Sequence, residues 1–567
     1  MGKMSQKCML RLTLRQQSYK IKSATDCAIL ERKNVAEAVS RRYLKNIEKS
    51  WKKEQIYGGE CEKIFSHTEK VNIMKKQVYR KLLAACVSVS LGTVLLAGCG
   101  DSAGTTGTKT EVQENNTSED VVEPVGEVTT FTLPDGPEES DIFVQPVADI
   151  SDDFIRGMDA SAVLSVENSG AVYYGYDGKE QDVFETLAQS GVNYIRLRVW
   201  NDPYDENGNG YGGGNNDLTT AMKLGVRAAR YGMKVCIDFH YSDFWADPKR
   251  QHAPKAWEGM TVDEKSDALY DYTTESLGKL LDAGVDVGMV QIGNEINNGM
   301  SGETDVDAVM QLLNSGSKAV REVAESYGKD IKVAVHYTNI EDNDQIDTMA
   351  ANLKDAGVDY DMFGLSFYPF WDGTNENMQN AAKLIEDKYG KEVYIAETSY
   401  CYTSEDGDGF SNSLKGTDDL TDGYGATVQS QATVIRDICA AANEAGVEGV
   451  FYWEGTWIPV GSADADNSAL WEKYGSGWAS SYSAEYDPDD AGLYYGGCSW
   501  DNQAMFDFTG HPLASLNVFK YLKYGATAPL AVDYIPDVYV SCNVGEDLVL
   551  PESIDVVYND RSQNKKQ

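Results

Sequence analysis

From about residue 150 the chain alternates between two rhythms of apolar and polar positions. Short apolar runs fall at 154–159, 193–199, 234–240, 287–293, 332–336, 362–367, 393–397 and 449–453. Between them, apolar residues recur every three or four positions over 179–189, 219–231, 263–283, 307–327, 344–356, 378–389 and 428–445. The first rhythm predicts buried strands and the second amphipathic helices. Gly191, Gly232, Gly284, Gly357, Gly390 and Gly446 closely follow the helical segments, where glycine ends a helix at least cost. Eight such units in succession predict an α/β fold, a (β/α)8 TIM barrel over 150–530, rather than a doubly wound sheet.

Outside 150–530 this rhythm is lost. Residues 1–81 are basic, whereas the chain beyond residue 100 is acidic. Met74 opens a second, self-contained start: Lys75, Lys76, Arg80 and Lys81 form a positive region, and 82–97 is an apolar run of signal-peptide length. It ends in Leu96-Ala97-Gly98-Cys99, which resembles a bacterial lipobox. The expectation is a lipoprotein signal peptide over 74–98 and a lipid anchor on Cys99, with the protein extracellular and held on the cell membrane. Residues 1–73 are then an extension, read either as the product of a mis-called upstream start codon or as a real cytoplasmic N-terminal extension. Residues 99–149, poor in aromatics, are expected to be a disordered linker. Residues 531–567 are rich in Val and Tyr and read either as a partial immunoglobulin-like module or as a tail packed on the barrel.

The net charge of −39 argues against nucleic acid and against a polyanionic polymer, and favours a neutral one. The 34 tyrosines supply flat apolar faces with polar edges, which suit sugar rings. Ten cysteines match no metal knuckle or disulfide framework, and half of them lie before residue 100.

Two strand-like runs, Val290-Gln291-Ile292-Gly293-Asn294-Glu295 and Val393-Tyr394-Ile395-Ala396-Glu397-Thr398, each end abruptly in a carboxylate. Barrel enzymes place their chemistry at the C-terminal ends of strands. Two glutamates delivered there are what a glycosidase needs, one as proton donor and one as nucleophile or base.

Gly157-Met158-Asp159-Ala160-Ser161, Arg196-Leu197-Arg198-Val199-Trp200, Asp238-Phe239-His240-Tyr241-Ser242-Asp243, Gly293-Asn294-Glu295, Ala396-Glu397-Thr398 and Tyr452-Trp453-Glu454 occur in that order. The set resembles the family 53 glycoside hydrolases, endo-β-1,4-galactanases acting on type I arabinogalactan, over about 150–525. The resemblance implies a retaining mechanism with Glu295 as acid/base and Glu397 as nucleophile. Arg198, His240, Asn294, Tyr368 and Trp453 are candidate substrate-binding residues. Asn294 could bond the sugar 2-hydroxyl, and Trp453 could stack on a sugar ring. For His240 the alternative is a satisfied core histidine, and for Arg198 a structural ion pair with Asp159 or Asp238. Trp200, Trp245, Trp371 and Trp457 also lie just past strand ends, with stacking and core packing both open.

The Asp406-Gly407-Asp408-Gly409 segment can present hard oxygen ligands, and Asp-Gly is equally a turn signal. The resemblance implies Ca2+ here, held by Asp406, Asp408, Asn412 and Asp501. The related pattern has a histidine where this chain has Phe410. The expected partner is β-1,4-galactan, met by a monomer. The competing readings are another retaining barrel glycanase, a β-mannanase or endoglucanase, and a non-catalytic glycan-binding lipoprotein.

Overall fold

A computed structural model describes residues 8–10, 122–538, 540–542 and 551–566. The expected signal peptide over 74–98, Cys99, and the extension over 1–73 apart from 8–10 lie outside the described residues.

All eight expected strands form. They are β1 (Ile155–Asp159), β2 (Tyr194–Val199), β3 (Lys234–Phe239), β4 (Val287–Ile292), β5 (Lys332–Tyr337), β6 (Met362–Ser366), β7 (Glu392–Glu397) and β8 (Gly449–Tyr452). They pair in parallel, in sequence order, and β8 closes on β1. The helices around them are α1 (Val163–Asn168), α2 (Val183–Gln189), α3 (Leu218–Arg230), α4 (Val262–Asp282), α5 (Val306–Tyr327), α6 (Asn343–Asp355), α7 (Asn375–Tyr389) and α8 (Val428–Glu444). Helix α3 shows why they form. Asp217 caps its first turn, and Ala221, Leu224, Gly225, Ala228 and Ala229 bury one face. Arg227 and Arg230 sit in the last turn, where cations suit the helix dipole. Thr261 and Glu264 start α4 with a reciprocal capping box.

Period-two alternation divides the core. Tyr194, Cys236, Met289, Ala334, Met362, Tyr394 and Phe451 point inward and fill the barrel. Their neighbours Ile195, Ile237, Val290, Val335, Phe363, Ile395 and Val450 point outward against the helices. Two residues further along several strands, the inward positions turn polar: Arg196, Asp238, Gln291 and His336. The change from apolar to polar along one inward face makes the floor of the site.

The linker expectation is corrected over 122–149. Ile142, Val144 and Val147 are buried. The short strand Glu138–Glu139 pairs with Ala526–Thr527, and Val144 and Ala526 exchange backbone bonds of 2.9 Å. Thr129 donates to the Arg230 carbonyl at 2.8 Å. Four apolar side chains, Ile142, Phe143, Val144 and Val147, give this stretch enough surface to bury, although the residues around them are mostly polar.

Beyond the barrel, Val532–Tyr534, Ile554–Tyr558 and Gln563–Lys566 form an antiparallel three-stranded sheet. It rests against the start of α8. Asp533 accepts bonds from Thr427 and, at 2.7 Å, from Ser430, and Arg561 pairs with Asp437. No helix among the described residues is long and apolar enough to cross a membrane.

Candidate active site

Glu295 follows β4 across a turn that begins at Gly293, whose φ of +93° favours glycine. Glu295 itself has φ 44° and ψ 52°. A left-handed glutamate is uncommon, and such outliers gather at functional sites. Glu397 arrives differently. Tyr394 and Ala396 face inward, so strict alternation would point Glu397 outward. The β6–β7 register shifts between Leu365 and Ser366, pairing Ser366 with Glu397. The irregularity turns this last side chain into the mouth, a known use of bulges.

The two carboxylates meet different surroundings. Glu397 Oε1 accepts from Arg196 Nη1 at 2.9 Å, and its Oε2 accepts from the Tyr368 hydroxyl at 2.9 Å. Glu295 Oε1 lies 2.7 Å from Ser366 Oγ and has no cationic partner among the described residues. Burial pushes the Glu295 carboxyl well up, and the nearby Glu397 charge adds to it. Burial also raises Glu397, and Arg196 and then Tyr368 offset only part of that rise. Glu295 therefore keeps its proton more tightly than Glu397.

Arg196 is the hub, and the sequence pattern pointed to Arg198 in its place. The Arg196 guanidinium bonds Asp159 (3.2 Å), Asp238 (2.8 Å), Glu397 (2.9 Å), Gln291 (3.2 Å) and Asn294 (2.8 Å). The signal was available: Arg196 shares the inward parity of Tyr194 one layer below. Arg198, one layer further up, makes the structural ion pair instead. It pairs with Glu454, bonds the Gly213 carbonyl at 2.6 Å, and lies 4.3 Å from the Trp245 ring centre. His240 is likewise a satisfied core histidine. Its Nδ1 accepts from Trp200 Nε1 and the Ala246 amide, both at 3.1 Å, leaving Nε2 to donate to Asp238 at 3.0 Å. Both side chains are buried and held by protein partners.

Asn294 is brought to the site, with Oδ1 toward Arg196 and Nδ2 donating to the Ala246 carbonyl at 2.9 Å. Tyr368, Trp371, Trp500, Trp453 and Trp245 form a row of rings, with successive centroids 5.3, 5.8, 4.9 and 6.1 Å apart. Trp371 is 59% exposed and Trp453 half-buried. Trp500 was absent from the sequence candidates because it follows no strand. Trp200 and Trp457 are fully buried and belong to the core.

Away from these glutamates, oxygens of Asp406, Asp408 and Asp501 lie within 4.8 Å of one another. Asn412 Oδ1 and Asp501 Oδ1 are buried without a hydrogen-bond partner. Burial pushes Asp501 up to about 8 and Asp408 up to about 6, and the charges of Asp408 and Asp406 add to the shift in Asp501. Phe410 lies with its ring over Gly496 and edge-on to Trp471, so its side chain serves packing.

A parallel barrel with two inequivalent carboxylates at strand ends has the arrangement that glycoside hydrolases use. Comparison with known proteins gives the particular family. Residues 155–519 match the model of glycosyl hydrolase family 53, and the chain belongs to that family. It is 53% identical over 389 residues to an endo-beta-1,4-galactanase of Bacillus subtilis (strain 168), covering 68% of this chain and 90% of that protein. It is 35% identical over 335 residues to an arabinogalactan endo-beta-1,4-galactanase of Cellvibrio japonicus (strain Ueda107), covering 57% and 85%. The GH53 catalytic domain of Ignisphaera aggregans superposes with a TM-score of 0.60 at 38% identity, covering 68% of this chain and 99% of that one.

Proposed function

We propose that this chain is a retaining endo-β-1,4-galactanase acting on type I arabinogalactan. The observation that carries the reading is the unequal pair. Glu397, held toward its ionised form by Arg196 and Tyr368, attacks the anomeric carbon and forms a glycosyl-enzyme. Glu295, without a cation, gives its proton to the departing glycosidic oxygen. It then takes a proton from the water that hydrolyses the intermediate. The spare Nδ2 hydrogen of Asn294 is available to the sugar 2-hydroxyl, and the row of rings from Trp371 to Trp245 offers stacking surface. Incubation with linear β-1,4-galactan, β-mannan and cellulose, with analysis of products and anomeric configuration, tests this. Internal cleavage of galactan with retention is expected, and cleavage of mannan or cellulose in preference would overturn it.

The Asp406, Asp408 and Asp501 carboxylates, with the orphaned Asn412 oxygen, suit a calcium ion, which accepts six to eight oxygens in loose geometry. The ion would supply positive charge and fix the loop after β7 against the one carrying Asp501. Cation density between these residues in crystals grown with calcium is the direct test. The lipobox-like Leu96-Ala97-Gly98-Cys99 supports an extracellular enzyme lipid-anchored through Cys99. Cys99→Ala should release the enzyme from the membrane fraction, and unchanged partitioning would refute the anchor.

A further inference from the structure

Glu295 touches one protein hydrogen-bonding group that has a second claimant. Ser366 Oγ is 2.7 Å from Glu295 Oε1 and 2.9 Å from His336 Nε2. A serine hydroxyl has a single proton, so it can donate to only one of them. The far end of the imidazole decides which. His336 Nδ1 lies 2.8 Å from Asn294 Oδ1. The Asn294 amide cannot be reversed, because its oxygen accepts from Arg196 Nη2 and its nitrogen donates to a carbonyl. Nδ1 must therefore carry a hydrogen. Gln291 Nε2, 3.2 Å from the same nitrogen, has its hydrogens on Asp238 Oδ1 (2.6 Å) and the Gly293 carbonyl (3.1 Å).

With Nδ1 protonated, a neutral His336 has a bare Nε2, which draws the Ser366 proton. The oxygen of Ser366 then faces Glu295 as an acceptor, and the bond closes only if Glu295 supplies the proton. We infer that Ser366 and His336 are positioning residues for the acid, forming a one-way hydrogen-bond chain from Glu295 through Ser366 and His336 to Asn294 that selects the protonated carboxyl. This rests on Glu295 being the acid. When Glu295 gives its proton to the glycosidic oxygen, the hydroxyl turns to the new carboxylate and His336 Nε2 loses its donor. The chain is restored when Glu295 regains a proton from water.

The surrounding charges agree with a neutral ring. His336 is fully buried, and that burial, with the charge of Arg196 from β2 and with His240, opposes an imidazolium, against Asp238 from β3. Around Glu295 stand Glu397 from β7, Asp247 after β3 and Asp372 after β6, all favouring the protonated acid. The two inner histidines then hold opposite tautomers: His240 carries its hydrogen on Nε2, and His336 on Nδ1.

Nitrogen-15 spectra of the full chain test this directly, since it has five histidines. With His336 assigned by elimination from variants of the others, an Nδ1–H tautomer is expected at neutral pH. An Nε2–H tautomer or an imidazolium would overturn the chain. Kinetics give an independent reading. His336→Leu frees Ser366 to donate to the ionised carboxylate, which lowers the Glu295 pKa. The alkaline limb of kcat/KM on galactan should move down by about one pH unit, the size expected of one hydrogen bond to a charged group. In a Ser366→Ala background the same substitution should move it no further, because the coupling runs through the hydroxyl. A loss of rate with the limb unmoved, or an equal shift in both backgrounds, would make His336 a packing residue only. Should His336→Leu fail to fold, the tautomer of the unmodified chain decides alone. A chain with the expected tautomer that cleaves no galactan would refute the role of Glu295 and leave the hydrogen-bond pattern standing.

Discussion

At the mouth, Asp159, Asp238 and Glu397 share the guanidinium of Arg196; in the loops beyond, Asp406, Asp408 and Asp501 crowd together with no ion pair to them among the described residues. Both groups hold buried acids. The first has internal compensation: Asp238 is kept below the usual carboxylate range because Arg196 and then His240 outweigh its burial. The second does not, and Asp501 and Asp408 are pushed up instead. Buried carboxylates with a fixed cation stay ionised, whereas those without one are raised unless a cation is supplied. Glu295 is a third case, in which the missing cation keeps a proton in place.

The largest effects should come from the mouth itself. Glu397→Gln should abolish turnover, and Glu295→Gln should reduce it by about 10²–10⁴-fold, the usual range for a general acid. Both variants should unfold cooperatively near the wild-type midpoint, because Arg196 keeps Asp159 and Asp238. Turnover by Glu397→Gln comparable to wild type would remove the reading of the mouth altogether.

Removing the internal cation should make the mouth behave like the loop cluster, only worse. Arg196→Met leaves Asp159, Asp238 and Glu397 facing one another without a counter-charge. Breaking a buried pair this way costs about 3–5 kcal/mol. Denaturant unfolding measures it, and a change below about 1 kcal/mol would mean that water already screens the group.

The loop cluster should respond to an external ion by less. Binding to the native state alone stabilises by about 2.7 kcal/mol when the free ion is a hundred times its dissociation constant. A chelator should therefore lower the thermal midpoint, and Asp501→Asn should blunt that response while leaving Glu295 and Glu397 untouched. A midpoint indifferent to chelator would mean that the aspartates only form turns.

How much of this the sequence disclosed depended on periodicity. Eight strands and both glutamates were readable because each strand is a dense apolar run ending at the functional layer. Arg196, Gln291 and His336 were legible in principle from their inward parity, shared with Tyr194, Met289 and Ala334 one layer below. Glu397 was found by its place at a strand end although its parity is wrong. A register shift between two strands is not written in either strand alone. Ser366 and Trp500 depended on contacts with residues far away along the chain, which no local pattern carries. The arm over 122–149 was misread because a few apolar residues scattered in a polar stretch make no periodic pattern, yet they count for much once they find a barrel to cover.

The smallest predicted effect would bring one atom of the mouth into the condition of the loop cluster. Both oxygens of Glu397 have donors, Arg196 and Tyr368, whereas Asp501 Oδ1 has none. Tyr368→Phe deletes one donor and keeps the ring, so the tilted contact with Trp371 and the edge-on contact with Trp500 should persist. The tyrosine bond favours the ionised nucleophile, so its loss must raise the Glu397 pKa. Attack requires the ionised form. The acidic limb of kcat/KM should accordingly move to higher pH, by about one unit for a hydrogen bond to a charged group. The alkaline limb, which follows Glu295, should stay in place. Rates well above the shifted limb should recover most of their wild-type value, which separates a pKa effect from damage to the site. A uniform loss of rate at every pH, with both limbs fixed, would show that Arg196 alone keeps Glu397 ionised and that the Tyr368 hydroxyl serves geometry.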